Sequence, residues 1–188
     1  HDVALIRKLV CSDGSVLRAD APALPTLDTL LVDPTREARA FKLWNRNGPR
    51  GVLAAFNARH TLPGQGSVAG DFGPEDIVGL SAEHFACYAH GSGELSLLAS
   101  SARKPFVLAA RGFEIFTLAP VERGFAALGL ADKLNSGAAI VSQSWAARGV
   151  CELTLRDGGV FVAYAEQAPA RVAGASGRVG SAPHRGAS

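Results

Sequence analysis

The first ten residues carry a different hydrophobic pattern from the rest of the chain. Apolar positions in 3–10 recur at helical spacing, and the charged pair Arg7-Lys8 falls on the opposite side. This pattern predicts an amphipathic helix that ends at the Asp13-Gly14 turn. The apolar members of the predicted helix are Leu5, Ile6, Leu9 and Val10.

From Pro25 onward, short β-rich segments alternate with Gly, Pro, Asn and Asp, so we place a domain boundary within 21–25. Strands at this even spacing, without helices between them, predict a mainly β fold, an antiparallel β-sandwich. The predicted strands are 27–32, 40–46, 51–57, 84–90, 94–98, 105–110, 113–119, 151–156 and 160–164.

Turn signals predict how some of these strands pair. Asn47-Gly48-Pro49 should turn the chain between two strands, Arg111-Gly112 should close a short hairpin, and Asp157-Gly158-Gly159 gives the clearest hairpin signal. Residues 59–70 read as a long loop, and 71–81 as an extended segment or a turn around Pro74. The tail, 171–188, has no apolar periodicity and is predicted to be disordered.

Charge and composition narrow the possible partners. The 19 basic and 17 acidic residues give a net charge of +2 with no basic stripe, so a nucleic acid partner is not expected. No apolar run has the roughly 20 residues of a membrane-spanning helix. Three widely spaced cysteines favour reduced thiols and therefore a cytoplasmic protein. Because the chain begins with His1 and contains no Met, we expect it to be a fragment.

Several residues with chemical potential do not combine into an active site. His84, Cys87 and His90 have ligand-like spacing, but a strand would point Cys87 away from both histidines, so no metal site is predicted. Ser92 lies in a turn signal rather than a nucleophile elbow. Glu75-Asp76 read as solvated neighbours on a turn. The chain alone therefore predicts no catalytic residue and no cofactor.

Two tryptophans are candidates for stacking against a sugar ring. Trp44 shares a face of its predicted strand with Lys42 and Arg46, while the opposite face carries apolar residues, so we expect Trp44 in a packed contact. Trp145 lies among polar residues, and packing and sugar contact are equally compatible with that setting.

The order of several motifs resembles the C-terminal part of raffinose synthases, seed imbibition proteins and alkaline α-galactosidases, in glycoside hydrolase family 36. The resemblance covers 1–164, with departures at Leu27 and Thr29. The motifs are His1-Asp2, Leu5-Ile6-Arg7-Lys8-Leu9-Val10, Asp13-Gly14-Ser15-Val16-Leu17-Arg18-Ala19, Pro25-Thr26, Asp33-Pro34, Lys42-Leu43-Trp44-Asn45-Arg46-Asn47, Gly51-Val52, Phe56-Asn57, Phe113-Glu114-Ile115-Phe116-Thr117-Leu118-Ala119-Pro120 and Leu134-Asn135-Ser136-Gly137-Ala138.

This resemblance implies a domain layout and the place of the chemistry. Residues 1–24 would end a (β/α)8 TIM barrel that is otherwise missing, 25–170 would form the C-terminal β-domain, and the two catalytic aspartates would lie upstream in the barrel. Only His1 and Asp2 would approach the substrate pocket, where an α-galactoside oligosaccharide binds.

Three functions remain open at this point. The leading one is hydrolysis of α-galactosides by the parent enzyme, through a covalent intermediate, with this fragment non-catalytic. Galactosyl transfer of the raffinose synthase type differs only in the acceptor. A free-standing carbohydrate-binding sandwich would need an exposed aromatic platform. The amino-acid sequence does not determine the oligomeric state.

Overall fold

The computed structural model describes residues 2–59 and 66–174. One short helix, α1, precedes twelve strands and four short 3-10 segments among these residues. The helix is Val3–Arg7. The strands are β1 Leu24–Pro25, β2 Phe41–Asn47, β3 Arg50–Phe56, β4 Val68–Phe72, β5 His84–Ala89, β6 Leu95–Ala99, β7 Lys104–Leu108, β8 Phe113–Pro120, β9 Phe125–Leu130, β10 Ile140–Trp145, β11 Cys151–Leu155 and β12 Phe161–Ala165. The 3-10 segments are Leu27–Thr29, Pro74–Asp76, Ser136–Ala139 and Ala147–Gly149.

Six strands form the central sheet, in the order β1-β2-β3-β8-β5-β6, and every pairing in it is antiparallel. The β2–β3 hairpin closes at Gly48-Pro49, where Asn47 pairs with Arg50 and Gly48 takes a φ of 57°. Glycine tolerates this left-handed backbone without a steric penalty. The predicted turn at Asn47-Gly48-Pro49 is therefore confirmed.

Two-stranded ribbons pack on both faces of the central sheet. On one face, Phe72 of β4 and Phe106 of β7 meet Phe116 of β8, with ring centroids 4.1 and 5.8 Å from Phe116. On the other face, the β9–β12 ribbon packs Leu128 against Ala119. The predicted mainly β, antiparallel fold is confirmed, with apolar side chains filling both faces of the central strands.

The segment after α1 also packs on the β-strands. Cys11 and Leu17 are buried in one apolar cluster with Leu130 of β9 and Ala139. In addition, the Lys133 ammonium donates to the carbonyl oxygens of Arg7 at 3.1 Å and Val10 at 2.8 Å. These contacts hold residues 7–17 against β9 and the segment that follows it, whereas no residue of α1 is buried.

The prediction of a strand at 27–32 is wrong. Leu27–Thr29 is a 3-10 helix, and the hydroxyl of Thr29 hydrogen-bonds that of Thr26 at 2.9 Å and donates to the Lys42 carbonyl at 3.1 Å. Short polar side chains that bond nearby backbone stabilise turns over strands. The apolar residues that suggested a strand face solvent instead, with Leu31 94% exposed.

Both predictions of the later hairpins are also wrong. The chain turns at Arg111-Gly112, but β7 pairs with β4 and β8 pairs with β3 and β5. After Asp157-Gly158-Gly159, β12 pairs with β9, while β11 pairs with β10. A turn reverses the chain direction without fixing which strand lies alongside. Strand β8 is an interior strand that is buried on both faces, and its two edges pair with β3 and β5.

The predicted helix and the predicted turn around Pro74 are both present. The helix is present but shorter than predicted, and Pro74–Asp76 forms the turn that was one of two alternatives for 71–81. Strands β4, β9 and β10 were not predicted. Half of the predicted loop 59–70, at 60–65, and most of the predicted disordered tail 171–188, at 175–188, lie outside the described residues. The loop prediction is wrong at 68–70, which belong to β4. In the described ranges, no helix is long and apolar enough to span a membrane.

Candidate functional site

Asp2 has a local role at the start of α1. Its carboxylate oxygen Oδ1 accepts a hydrogen bond from the Leu5 backbone N–H at 3.1 Å, which caps the helix. A helix leaves its first N–H groups without internal partners, and an Asp cap satisfies one of them. His1 lies outside the described residues. Contact of His1 or Asp2 with a sugar therefore stays a prediction.

The His84, Cys87 and His90 side chains do not converge. Cys87 is fully buried in the central sheet, and burial raises the pKa of its thiol to about 12. His84 is exposed, whereas the His90 ring nitrogen Nε2 lies 3.0 Å from the Thr117 hydroxyl. Within 2–59 and 66–174, no group of three or more His, Cys, Asp or Glu residues is arranged to hold a metal ion.

Lys42 is the centre of an ion cluster that we call the Lys42 cluster, formed by Lys42, Asp28, Asp71, Asp76 and Arg103. The Lys42 ammonium, 3% exposed, lies 2.8 Å from an Asp28 carboxylate oxygen and 3.5 Å from one of Asp76, and it donates to the Asp71 carbonyl at 2.8 Å. Arg103 binds Asp71 and Asp76, at 2.5 and 2.9 Å. The cluster joins β2 and β4 to three connecting segments.

The prediction that Glu75 and Asp76 are both solvated holds only for Glu75. Asp76 is 14% exposed and contacts both cations of the Lys42 cluster. Partial burial acts to raise the pKa of Asp28, but hydrogen bonds from Lys42 and Thr26 and the charge of Lys42 lower it overall. Desolvation acts to lower the pKa of Arg103, and its bonds to Asp76 and Asp71 raise it overall. The charges are paired internally, which indicates a structural role.

A polar cleft lies where the β2–β3 turn meets β10 and the end of β8. We call it the Arg50 cleft, and its volume is about 530 Å³. Arg50 is 6% exposed, and its Nε donates to the Ala127 carbonyl at 2.7 Å while its Nη2 donates to the Gln143 side-chain oxygen. Desolvation lowers the pKa of Arg50. The other polar residues lining the cleft are Arg18, Asp20, Asn47, Glu122, Ser142, Trp145 and Arg156.

Two of the sequence motifs meet beside this cleft. The Asn47 amide donates to the Asn135 side-chain oxygen at 2.5 Å, and the Asn135 amide donates to the Leu17 carbonyl at 3.1 Å. A Cβ at Gly137 would lie 3.2 Å from Cδ of Arg50 and 3.6 Å from Nδ2 of Asn47. Gly137 thus leaves space for the buried Arg50 side chain.

Two carboxylates line the Arg50 cleft, Asp20 and Glu122. Both are exposed, and an Asp20 oxygen accepts the Gly48 backbone N–H at 2.5 Å. The general acid of a glycosidase is a carboxyl sheltered from water so that it keeps its proton near neutral pH. Asp20 and Glu122 lack that shelter, so neither has the setting of a glycosidase's general acid.

The two tryptophans lie in different places. Trp44 is half-buried and packs against the main apolar core, which confirms the predicted packing role. Trp145 lines the Arg50 cleft, with the Phe125 ring at 6.0 Å edge-on and the Arg123 guanidinium 5.3 Å from its centroid. The turn predicted at Ser92 is confirmed by the bond from the Gly93 N–H to the Ala89 carbonyl at 2.8 Å.

Sequence reasoning did not identify Arg50 or Gln143. The only local signal at Arg50 is a charged residue that begins an otherwise apolar strand, 50–56. Gln143 lies in β10, which was not predicted at all. Their proximity depends on pairing between distant parts of the chain.

Comparison with known proteins identifies the family. The model of the family described as raffinose synthase or seed imbibition protein Sip1 matches residues 1–66 and 68–179. The chain belongs to this family. It is 34% identical over 192 residues to a probable galactinol–sucrose galactosyltransferase 1 of Arabidopsis thaliana, covering 87% of this chain and 26% of that protein.

Other relatives give the same assignment. A galactinol–sucrose galactosyltransferase of Oryza sativa subsp. japonica is 32% identical, with 90% of this chain and 25% of the relative covered. The stachyose synthase of Pisum sativum is 28% identical, with 90% of this chain and 23% of the relative covered. This raffinose synthase family chain spans about a quarter of the length of the curated relatives that it matches.

Proposed function

We propose that this chain is the non-catalytic C-terminal part of an enzyme that transfers α-galactosyl groups between sugars. The observation that carries the proposal is the family match across almost the whole chain, to relatives named galactosyltransferases and stachyose synthase. Those names favour transfer over the hydrolysis that the resemblance alone placed first. In either reaction the enzyme forms a galactosyl intermediate, and the acceptor is a sugar hydroxyl or water.

The proposed layout places the chemistry outside this chain. Residues 1–24 end the barrel, and 25–170 form the β-domain. The exposed apolar residues of α1, with Val3 59%, Leu5 40% and Ile6 46% exposed, support a helix that packs against further protein. His1 and Asp2, at the start of this helix, would then lie nearest to the bound α-galactoside.

The proposed location is the cytoplasm. It is supported by the three cysteines, which are free thiols, with Cys11 and Cys87 buried. Unpaired, buried thiols are typical of proteins that fold in a reducing compartment.

The test compares the 188-residue chain with the complete enzyme that contains it. Each is incubated with an α-galactoside donor, with and without sucrose as acceptor, and free galactose and transferred product are quantified. We expect transferred product from the complete enzyme with sucrose, and no product from the chain alone. Galactose release by the chain alone would overturn the non-catalytic assignment. Galactose release without transfer by the complete enzyme would identify a hydrolase.

A further inference from the structure

A series of hydrogen bonds joins the end of β5 to β9, and we call it the His90 network, formed by His90, Thr117, Ser136 and Leu128. The His90 Nε2 lies 3.0 Å from the Thr117 hydroxyl, and this hydroxyl lies 3.1 Å from that of Ser136. The Ser136 hydroxyl donates to the Leu128 carbonyl at 3.0 Å. Thr117 and Ser136 are 0% and 1% exposed. The network therefore lies in the interior of the molecule.

The last bond of the His90 network determines where every proton in it lies. The Leu128 carbonyl can only accept, so the single hydroxyl hydrogen of Ser136 is used there. The Thr117 hydroxyl must then donate to the Ser136 oxygen, which leaves the Thr117 oxygen as an acceptor for His90. His90 therefore carries its proton on Nε2, and Nδ1 is the unprotonated nitrogen of the neutral ring.

The surroundings of the His90 ring favour its neutral form. Among the described residues, the buried Nδ1 has no hydrogen-bond partner, so a second proton would add a buried donor and a buried charge. Desolvation lowers the pKa of His90, as does the charge of Lys8, while the Ala131 backbone and the Glu114 carboxylate act to raise it, and the pKa is lowered overall. The Tyr88 ring, edge-on at 4.9 Å, has a raised pKa and is uncharged near neutral pH.

The segment that follows β9 also holds the residues after α1. The Leu134 backbone N–H donates to the Lys8 carbonyl at 3.0 Å. The Lys133 ammonium donates to the carbonyl oxygens of Arg7 and Val10. This stretch of the chain is therefore bonded to the central sheet through the His90 network and to the residues after α1 through its own backbone and lysine.

We propose that the His90 network is an acid-sensitive latch that holds residues 128–136 on the central sheet. Because folding lowers the pKa of His90, its contribution to stability is complete above the unfolded-state value, about 6.5, and is lost as the pH falls through the lower folded value. Acid therefore loosens residues 128–136 and, with them, their contacts to residues 7–10. The latch consists of contacts within this chain and does not depend on the proposed galactosyl transfer.

The arrangement of protons is tested by NMR on the full 188-residue chain at pH 8. Long-range correlations between ring protons and ring nitrogens distinguish the two tautomers of neutral histidine. We expect His90 to be protonated on Nε2. A His90 ring protonated on Nδ1 at this pH would overturn the proposal, because Thr117 would then have no donor from the ring.

Amide hydrogen exchange separates a local latch from a general loss of stability. The protection factors of the Leu134 and Leu53 amides are measured in the same chain between pH 7 and 5, with Leu53 in the interior strand β3 as the reference. We expect Leu134 protection to fall by up to about tenfold per pH unit, the limit for one linked proton, and Leu53 protection to stay constant. Constant protection at Leu134, or an equal fall at both amides, would overturn the proposal.

Matched variants assign the effect to His90. His90→Gln keeps an N–H that can donate to Thr117 but does not titrate, so Leu134 protection should become independent of pH in this range. His84→Gln, at the exposed histidine that begins β5, should keep the wild-type pH dependence. A pH dependence that persists in His90→Gln or disappears in His84→Gln would contradict the role of His90. If His90→Gln does not fold, the tautomer and the exchange of the wild-type chain decide the proposal.

Discussion

At the scale of single residues, Lys42 shows how a motif residue acts on folding. It lies in the sequence Lys42-Leu43-Trp44-Asn45-Arg46-Asn47, and its ammonium is almost completely buried among oxygen atoms of Asp28, Asp71 and Asp76. A buried charge is tolerated only where it is paired and hydrogen-bonded. The presence of Lys42 within an apolar sheet therefore requires the whole Lys42 cluster.

Substitution of Lys42 tests this role. Lys42→Met keeps the aliphatic length but leaves the acidic groups of the cluster with one cation, and we expect a loss of about 2 to 4 kcal/mol in the free energy of unfolding. Lys8→Met, at an exposed lysine, should change it by less than about 0.5 kcal/mol. The measurement is urea denaturation, and similar values for the two variants would contradict the structural role.

Asp28 gives the Lys42 cluster a pH dependence. Its pKa is lowered in the folded chain, so the ionised form is favoured by folding. Its contribution to stability is therefore complete above the unfolded-state pKa, about 4, and is lost as the pH falls through the lower folded pKa. Asp28→Asn should reduce stability at pH 7 and flatten the loss of stability between pH 5 and 3. Parallel curves for wild type and variant in urea melts across this range would refute the assignment.

At the scale of elements, α1 contrasts with the segment that follows it. Its apolar residues are exposed, whereas Leu17 is buried against the β-strands. Amphipathic helices gain most of their stability from packing of the apolar face. A helix of five residues with no buried residue thus depends on further contacts for its stability.

A paired substitution tests whether α1 packs against the proposed barrel. Ile6→Ser should change the stability of the 188-residue chain by less than about 0.5 kcal/mol, since Ile6 is 46% exposed. In the complete enzyme, the same change should accelerate hydrogen exchange in α1, because a buried apolar side chain is lost. Leu17→Ala, the control, should destabilise both proteins by about 2 to 4 kcal/mol. Unchanged exchange of α1 in the complete enzyme would argue against the proposed layout.

The elements also show where sequence patterns mislead. Gly-rich signals at Arg111-Gly112 and Asp157-Gly158-Gly159 correctly mark chain reversals, but neither closes a hairpin. Strand β9, Phe125–Leu130, is rich in small residues that lack the β-branched character of typical strands, although it is buried from Ala126 to Leu130. Its strand conformation comes from packing against β5 and β8 rather than from local propensity.

At the scale of the whole molecule, the three cysteine thiols differ in how deeply they are buried. Cys87 lies at the centre of the sheet with a pKa raised by burial to about 12, and Cys11 is 4% exposed. Cys151, in the β10–β11 ribbon, is only half-buried, although desolvation also raises its pKa. The thiolate is the reactive form, so both accessibility and pKa favour Cys151 over Cys87.

Alkylation of the native chain should follow this order. With iodoacetamide at pH 8, we expect Cys151 to react first and Cys87 and Cys11 to react only when the chain unfolds, with mass spectrometry identifying each site. In urea, all three thiols should react at similar rates. Native Cys87 reacting as fast as Cys151 would show that the central sheet opens readily.

The sequence alone determined the mainly β class, the family, the β2–β3 hairpin and the packing role of Trp44, because these depend on local pattern or on motif order. Tertiary structure decided which strands lie side by side, the exposure of the leucines in 27–32, and the Arg50 cleft. Arg50 and Gln143 are 93 positions apart, yet their side chains bond. Contacts at such separation come from the packing of layers, because a local sequence pattern specifies backbone shape and buried faces but not the partner that covers them.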